Sequence, residues 1–364
     1  MENKRRGKRK KESAVEEKID EIIKQYSNPT VELISSGSDL LDCALGGGFP
    51  LGKVINIIGD KSSGKTLLIC EAIAKAIKKY NKEIEVFYDD TEAGFSFDTE
   101  EIWGFKMPVL VDDKDKDDCS ETVEDLISSV KKRLQPFLNS KKPCVYIVDS
   151  LDGLTSESEI EHAEAREAAR EKGTQQTGTY GTQKAKLLSE FFRLVKNDLK
   201  DSNCLLIVIS QIRDKIGVKF GKKTTRSGGR ALDFYCSQII ELAEVEKIEN
   251  TVQGQKRKVG VRIRANVAKN KIAKPFRQAE FQILFDYGVD NIDGNLCFLF
   301  DLITETGKTK KRIEALWDKN TFTDRSELIS YIEKHDQEEM LLNTVRQKWN
   351  EIEDSFKPRR KNKA

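Results

Sequence analysis

The sequence predicts an α/β protein built on a mostly parallel, twisted sheet flanked by helices. Three observations carry that reading. Short apolar runs at 54–58, 84–88, 144–148 and 204–209 have the uniform character of buried strands. Between the last two lies a stretch with Leu187, Leu188, Phe191, Phe192, Val195 and Leu199 at helical spacing. The first run leads directly into Gly59-Asp60-Lys61-Ser62-Ser63-Gly64-Lys65-Thr66, which fits the pattern GxxxxGK[ST] between a strand and a helix-compatible segment.

The chemistry of that loop explains its residue types. Gly59 and Gly64 let the backbone curl so that successive N–H groups point at phosphate oxygens. Lys65 brings a point charge for the β and γ phosphates, and the Thr66 hydroxyl suits Mg²⁺. The helix that starts there adds its positive end. A nucleoside triphosphate is the expected ligand.

The other elements follow in order. Ahead of the loop, Val15, Ile19, Ile22, Ile23 and Tyr26 predict an amphipathic helix over 13–26, ended by Asn28-Pro29. Its apolar face could pack on its own core or on another subunit. The strand at 84–88 runs into Asp89-Asp90-Thr91-Glu92. Acids at the carboxyl end of a strand lie where open α/β sheets place their chemistry. Glu92 could orient the attacking water and Asp90 could hold Mg²⁺ through water; a solvated loop acid is the equal alternative. The strand at 144–148 closes on Asp149, positioned to order Mg²⁺ beside Thr66. Residues 157–172 read as a charged helix and 173–186 as a loop. The strand at 204–209 ends in Ser210-Gln211. Beyond it a glycine-rich basic loop over 211–230 interleaves apolar and aromatic side chains, which suits single-stranded nucleic acid. Further strands are expected at 235–243, 259–267 and 279–285, then a small α+β segment with helices near 325–334 and 337–354.

Composition narrows the class. The chain of 364 residues is 38% hydrophobic and 34% charged, which suits a globular protein rather than a disordered one. It has no apolar run of membrane-spanning length, and the basic N-terminus lacks the apolar stretch of a secretion signal. The seven cysteines, at 43, 70, 119, 144, 204, 236 and 297, form no CxxC pair, so reduced thiols and a cytoplasmic location are expected. With only His162 and His335, the acid–base work falls to carboxylates and lysines. The net charge of +2 hides two basic tails, 1–11 and 357–364, around a net acidic middle. Such tails suit phosphate backbones or serve only as solvated ends.

Longer stretches carry a family resemblance. Ile34-Ser-Ser-Gly-Ser38, Leu41-Asp-Cys-Ala-Leu-Gly46, the phosphate loop and Val148-Asp-Ser150 belong to it. So do Gln211-Ile-Arg213, Lys215-Ile-Gly-Val218, Gly228-Gly-Arg-Ala-Leu-Asp-Phe-Tyr235 and Lys269-Asn-Lys-Ile-Ala-Lys-Pro-Phe-Arg-Gln-Ala-Glu-Phe-Gln-Ile283. Over about 15–290 the chain resembles the bacterial and phage RecA recombinases. The resemblance implies a RecA-like P-loop ATPase core over 34–288. Around it would lie a disordered basic tail (1–12), an oligomerisation arm (13–33), a C-terminal domain (289–356) and a second basic tail (357–364). It implies Glu92 as the catalytic glutamate and Gln211 as the sensor of the γ-phosphate. Lys269 and Lys271 would reach the neighbouring subunit's ATP, so that ATP sits at a subunit interface of a helical filament. Residues 155–186 and 211–230 match the two DNA-binding loops. Candidate DNA contacts are Lys186, Ser189, Arg193, Arg213, Ile216, Lys219, Ser227, Gly228, Gly229 and Arg230.

Three departures stand out against the resemblance. The chain between Asp149 and Gln211 is longer than usual. The family's basic pair after the strand at 235–242 is Ala243-Glu244, which shifts the expected capture of duplex to Arg262, Arg264 or the tails. The C-terminal tail is basic instead of acidic, so weaker self-inhibition and stronger duplex affinity are expected. The reading is an ATP- and Mg²⁺-dependent strand-exchange recombinase acting on single-stranded and homologous duplex DNA. The alternatives are a ring helicase on the same core and an accessory protein that binds ATP and DNA without turnover.

Overall fold

A computed structural model describes residues 31–81, 83–110, 119–140, 142–171, 183–214, 224–225, 229–303, 310, 312–358 and 360. The chain divides into two units, 1–32 and 33–364. In the first, only residues 31 and 32 are described, so the expected helix over 13–26 lies outside the described residues. The second unit holds every element named below.

It opens with β1 (Leu33–Ile34), α1 (Asp39–Leu45) and β2 (Phe49–Pro50), a short ladder bridged by a capped helix. The strands β3 (Val54–Gly59), β4 (Glu85–Asp89), β5 (Cys144–Val148) and β6 (Cys204–Gln211) follow, joined by helices. These helices are α2 (Lys65–Lys79), α3 (Thr99–Trp103), α4 (Val123–Leu134), α5 (Glu157–Glu171) and α6 (Gln183–Asp201). The short pair β7 (Arg213–Asp214) and β8 (Thr224–Thr225) and the helix α7 (Gly229–Tyr235) lead to β9 (Gln238–Val252), β10 (Gln255–Asn270), β11 (Gln278–Leu284) and β12 (Gly288–Asp290). After them come α8 (Asn291–Leu299), β13 (Arg312–Trp317), β14 (Asn320–Asp324), α9 (Arg325–Lys334) and α10 (Glu338–Ser355).

The main sheet runs β12-β11-β10-β9-β3-β6-β5-β4. Its members β9, β3, β6, β5 and β4 are parallel, and β10, β11 and β12 add antiparallel on one side. Strand alternation sorts the side chains onto two faces. Ile55, Ile57, Val145, Ile147, Leu205, Ile207 and Ile209 join α2 in one apolar cluster. Val54, Ile58, Tyr146, Val148, Leu206 and Val208 meet α4 and α6 in a second. Both faces being covered explains why these strands read as unbroken apolar runs. Helix α2 buries Leu68, Ile69, Ala72, Ile73 and Ala76, a stripe at helical spacing, and ends on Lys78 and Lys79, which complement its negative end. Helix α4 starts with a capping box in which Thr122 and Asp125 satisfy each other's backbone N–H. A third cluster joins Leu296, Ile313, Trp317, Leu328, Ile332 and Leu341 from α8, β13, α9 and α10.

Two differences from the sequence reading have physical causes. Strands β9 and β10 run well past the expected ends at 243 and 259, pairing up to Val252 and Gln255 across a turn with Gly254 at φ 77°. This outer ladder is charged and largely exposed, so it lacks the apolar signal of a strand. Helix α6 begins at Gln183, so Lys186 lies on a helix and not in a loop. Its first turn, 183–186, buries no side chain and so carries no apolar signal.

Candidate nucleotide site

The site forms where the parallel strands end. β3 delivers Gly59, and the turn Asp60–Gly64 hands the chain to α2 at Lys65. Ser62 and Gly64 both take the left-handed region, at φ 61° and 78°. The φ of 78° favours glycine at Gly64, and a Cβ there would also stand 2.7 Å from the tip of the Ile283 side chain. A Cβ on Gly59 would collide with the Ser63 hydroxyl. Among the described residues that hydroxyl is buried without a hydrogen-bond partner, a donor left over inside the cradle. The Lys65 ammonium donates to the carbonyls of Gly59 and Asp60 at 3.0 and 2.7 Å. Burial lowers its pKa, against the opposing pull of Asp149, Glu92, Asp60 and Asp152. Lys65 thus faces these four acids.

The neighbouring strand ends supply the acids. Thr66 Oγ1 donates to Asp149 Oδ2 at 3.1 Å, and Tyr88 Oη donates to the same oxygen at 2.5 Å. Burial raises the Asp149 pKa, offset by these two hydrogen bonds. A threonine hydroxyl beside one carboxylate is a hard-oxygen pair, and Mg²⁺ ordinarily takes one or two protein ligands and completes its shell with phosphate and water. The pair fits that ion. Among the described residues no group of three or more His, Cys, Asp or Glu forms a self-sufficient metal cage.

Glu92 lies on the turn after β4. The Ser150 hydroxyl and the Gln211 side-chain amide, the latter at 2.8 Å, both donate to its Oε1. The structure therefore brings Lys65, Thr66, Glu92, Asp149 and Gln211 to one end of the sheet. A cleft of about 520 Å³ opens beside the loop, lined by Ser62–Leu67 and by Phe97, Lys247, Lys258 and Phe285 among others. Its volume and half-exposed aromatics suit a nucleoside.

Other candidates lie elsewhere. Lys269 pairs with Ile239, which is level with Asn56, so its backbone stops about 10 Å short of Gly59 along the strands. Its side chain runs the other way: the Lys269 ammonium donates to the carbonyls of Asp233 and Phe234, and that of Lys271 to Phe234 at 3.3 Å. Carbonyls in the last turn of α7 attract such cations. One chain does not bring these lysines to its own phosphate loop. Phe234 and Phe276 beside them are 71% and 73% exposed. Lys186, Ser189 and Arg193 share the outward face of α6, opposite Leu188, Phe191 and Val195, and the Ser189 hydroxyl back-bonds to Ala185 at 2.9 Å. Arg213 lies in β7, and Gly229 and Arg230 open α7. Ile216, Lys219, Ser227 and Gly228 lie outside the described residues.

One expectation is corrected. Arg262 is buried, paired with Glu246 at 3.0 Å and facing Asp293, so it cannot greet a duplex. Alternation along β10 puts Arg262 on the polar face with Arg264, and what it does not show is that both faces are buried at 260–263. Asp90 is also buried and accepts the Phe95 N–H at 2.8 Å, which ties it to the 90–95 turn, and its charge helps raise the Asp149 pKa. Arg264 is half exposed and paired with Glu280 at 2.6 Å.

Sequence reasoning passed over four residues. Asp89 is fully buried and accepts from Ser120 N, Ser120 Oγ and Tyr146 Oη. Tyr88 holds Asp149, Ser150 holds Glu92, and Asp152 accepts the Gln211 backbone N–H at 2.9 Å. The signal for the last two was their place within three residues of Asp149 at a strand end.

Comparison with known proteins identifies the family. The family model of the RecA N-terminal domain matches residues 14–290. The RecA protein of Colwellia psychrerythraea is 37% identical over 276 residues, covering 74% of this chain and 71% of that protein. That of Synechococcus sp. strain CC9902 is 33% identical over 331 residues, covering 89% and 79%. Among solved structures, the RadB recombinase matches with TM-score 0.43 and 18% identity, covering 71% of this chain and 98% of its own.

Proposed function

This chain belongs to the RecA family, and from that membership we propose that it is a DNA-dependent ATPase that forms helical filaments on single-stranded DNA and exchanges strands with a homologous duplex. The observation that carries the reading is the division of the site. Lys65, Thr66, Glu92, Asp149 and Gln211 meet at one end of the sheet, while Lys269 and Lys271 lie at the other beside two exposed phenylalanines.

The loop Gly59–Thr66 would cradle the triphosphate with its backbone N–H groups, and the spare Ser63 hydroxyl adds a donor. Thr66 and Asp149 would hold Mg²⁺, which when bound neutralises charge on the phosphates. Lys65 releases its two carbonyls and turns to the γ-phosphate. Glu92 orients the attacking water once the Gln211 amide has left its Oε1 for the γ-phosphate. Lys269 and Lys271 leave the end of α7 to reach the ATP of an adjacent subunit, where they stabilise developing charge. ATP then joins subunits and hydrolysis lets them part. A head-to-tail contact of this kind gives an open filament when its rotation does not close into a ring. The exposed face of α6 and the segment from Arg213 to Arg230 would line the DNA path, with phosphate contacts dominating affinity.

The test is steady-state ATP hydrolysis with and without single-stranded DNA, followed by strand exchange between homologous circular and linear DNA. Stimulation by DNA together with strand exchange supports the reading. Unwinding without exchange favours a ring helicase, and binding without turnover favours an accessory protein.

A further inference from the structure

We infer that Asp152 is a positioning residue for nucleotide sensing: its carboxylate pins the backbone of Gln211, so that the Gln211 side chain moves against a fixed main chain. The inference rests on the reading of Glu92 and Gln211 given above.

The argument starts from the sheet. β5 and β6 pair in parallel as far as Val148 and Val208, after which the chain leaves β5 for the turn at 149–153. The Leu151 N–H still reaches Ile209 O at 3.2 Å. The next donor on β6, the Gln211 N–H, faces the turn rather than a strand. Asp152 supplies the acceptor, with Oδ2 at 2.9 Å, and so extends the ladder by one rung with a side chain.

That turn is itself immobilised. The Asp152 N–H donates to Ser150 Oγ at 3.2 Å and the Gly153 N–H to Ser150 O at 3.0 Å. Thr91 Oγ1 donates to the same carbonyl at 2.6 Å. A Cβ on Gly153 would stand 2.6 Å from Thr91 O, so the turn is wedged against the segment that carries Glu92. Ser150 Oγ in turn donates to Glu92 Oε1, which also receives the Gln211 amide. Glu92, Gln211, Asp152 and Ser150 thus form one closed ring of hydrogen bonds.

The ring separates what can move from what cannot. The amide of Gln211 can exchange one acceptor for another by side-chain rotation, while its peptide stays tied to Asp152. A displacement at the phosphates is then passed forward to Ile212 and Arg213, the root of the basic segment, and is not absorbed by the backbone of Gln211. Removing the pin leaves a peptide N–H without its acceptor, and the main chain at Gln211 shifts instead.

The experiment measures binding of a fluorescent oligothymidylate to the full chain with and without a non-hydrolysable ATP analogue. The readout is the ratio of the two affinities for each protein, so a general loss of DNA binding or of folded protein cancels. Wild type is expected to tighten about tenfold or more with the analogue, the ordinary range of allosteric coupling. Asp152→Ala is expected to bring the ratio close to one. Asp152→Asn, which keeps an acceptor oxygen at the same place, is expected to restore most of it. A wild-type ratio in Asp152→Ala overturns the inference, and so does an Asp152→Asn that is as uncoupled as the alanine variant. Wild type with no dependence on the analogue would overturn the reading of Gln211 and the inference together.

Discussion

The two ends of the central sheet are built differently. At the carboxyl end the two carboxylates are held by other side chains, Thr66 and Tyr88 on Asp149 and Ser150 and Gln211 on Glu92, while Lys65 rests on two loop carbonyls. At the opposite end, Lys269 and Lys271 rest on the backbone carbonyls of α7, in solvent, between exposed phenylalanines. The first end is a preorganised site, in which charges and hydrogen bonds are already set at folding. The second is a set of cations waiting on weak, replaceable acceptors. On the proposed function, the difference divides the catalytic apparatus between a part assembled within one chain and a part that would serve a neighbour.

Changes at the complete end should have the largest effect. Lys65→Ala is expected to lower the rate of ATP hydrolysis about 10³-fold or more, because it removes the cation that faces Asp149, Glu92, Asp60 and Asp152. A near-normal rate in a coupled spectrophotometric assay would put the phosphates elsewhere. Glu92→Gln preserves the acceptor for Ser150 and Gln211 but not the base, so kcat should fall about 10²- to 10⁴-fold while nucleotide affinity is retained. Equal loss in kcat and in binding would mean that Glu92 is structural.

At the open end the expectation is a split between activity and stability. The Lys269→Ala, Lys271→Ala double variant should lose about 10²-fold in DNA-dependent hydrolysis. Its thermal stability should stay within about 0.5 kcal/mol, as for exposed side chains in general. A large loss of stability in a melting curve would instead make the α7 contacts their purpose.

The smallest effect is expected where that end meets the C-terminal segment. Lys274 donates to Glu353 at 2.8 Å, and Arg277 grips the same carboxylate through two nitrogens, tying the turn after Lys271 to α10. The hydrogen bonds from Arg277 and then Lys274 hold the Glu353 pKa down from 4.5 to about 2. A depressed carboxyl stabilises the fold fully above 4.5 and loses that contribution as pH falls through about 2. Glu353→Gln should cost about 1 kcal/mol at neutral pH, less at high salt. Wild type and variant should converge on acidification, measured by denaturant titration. A gap that persists at low pH would mean that the carboxylate's charge is not what holds the turn.

Much of this was legible in the residues because two signals coincide at the carboxyl end. Strands buried on both faces write themselves as apolar runs, and the phosphate loop, Asp149 and Gln211 each mark where one stops. The charged outer ladder of β9 and β10 was not legible, since exposed pairing needs no apolar pattern. Arg262 looked like a surface cation because sequence does not tell which face of β10 turns toward Asp293. Ser150 and Asp152 escaped notice for another reason. Their roles are hydrogen bonds across the fold, to Glu92 and Gln211, and no local spacing encodes a partner that lies 58 or 59 positions away.

The central claim, a site completed by a neighbouring subunit, is tested most directly by mixing two inactive proteins. Lys65→Ala and the Lys269→Ala, Lys271→Ala variant are combined in equal amounts on single-stranded DNA, and ATP hydrolysis is measured. If the lysines serve the adjacent subunit, roughly a quarter of randomly assembled interfaces hold both an intact phosphate loop and intact lysines. The mixture should then recover a corresponding share of wild-type activity. A mixture as inactive as its two components would contradict the account and place the lysines in the service of their own chain.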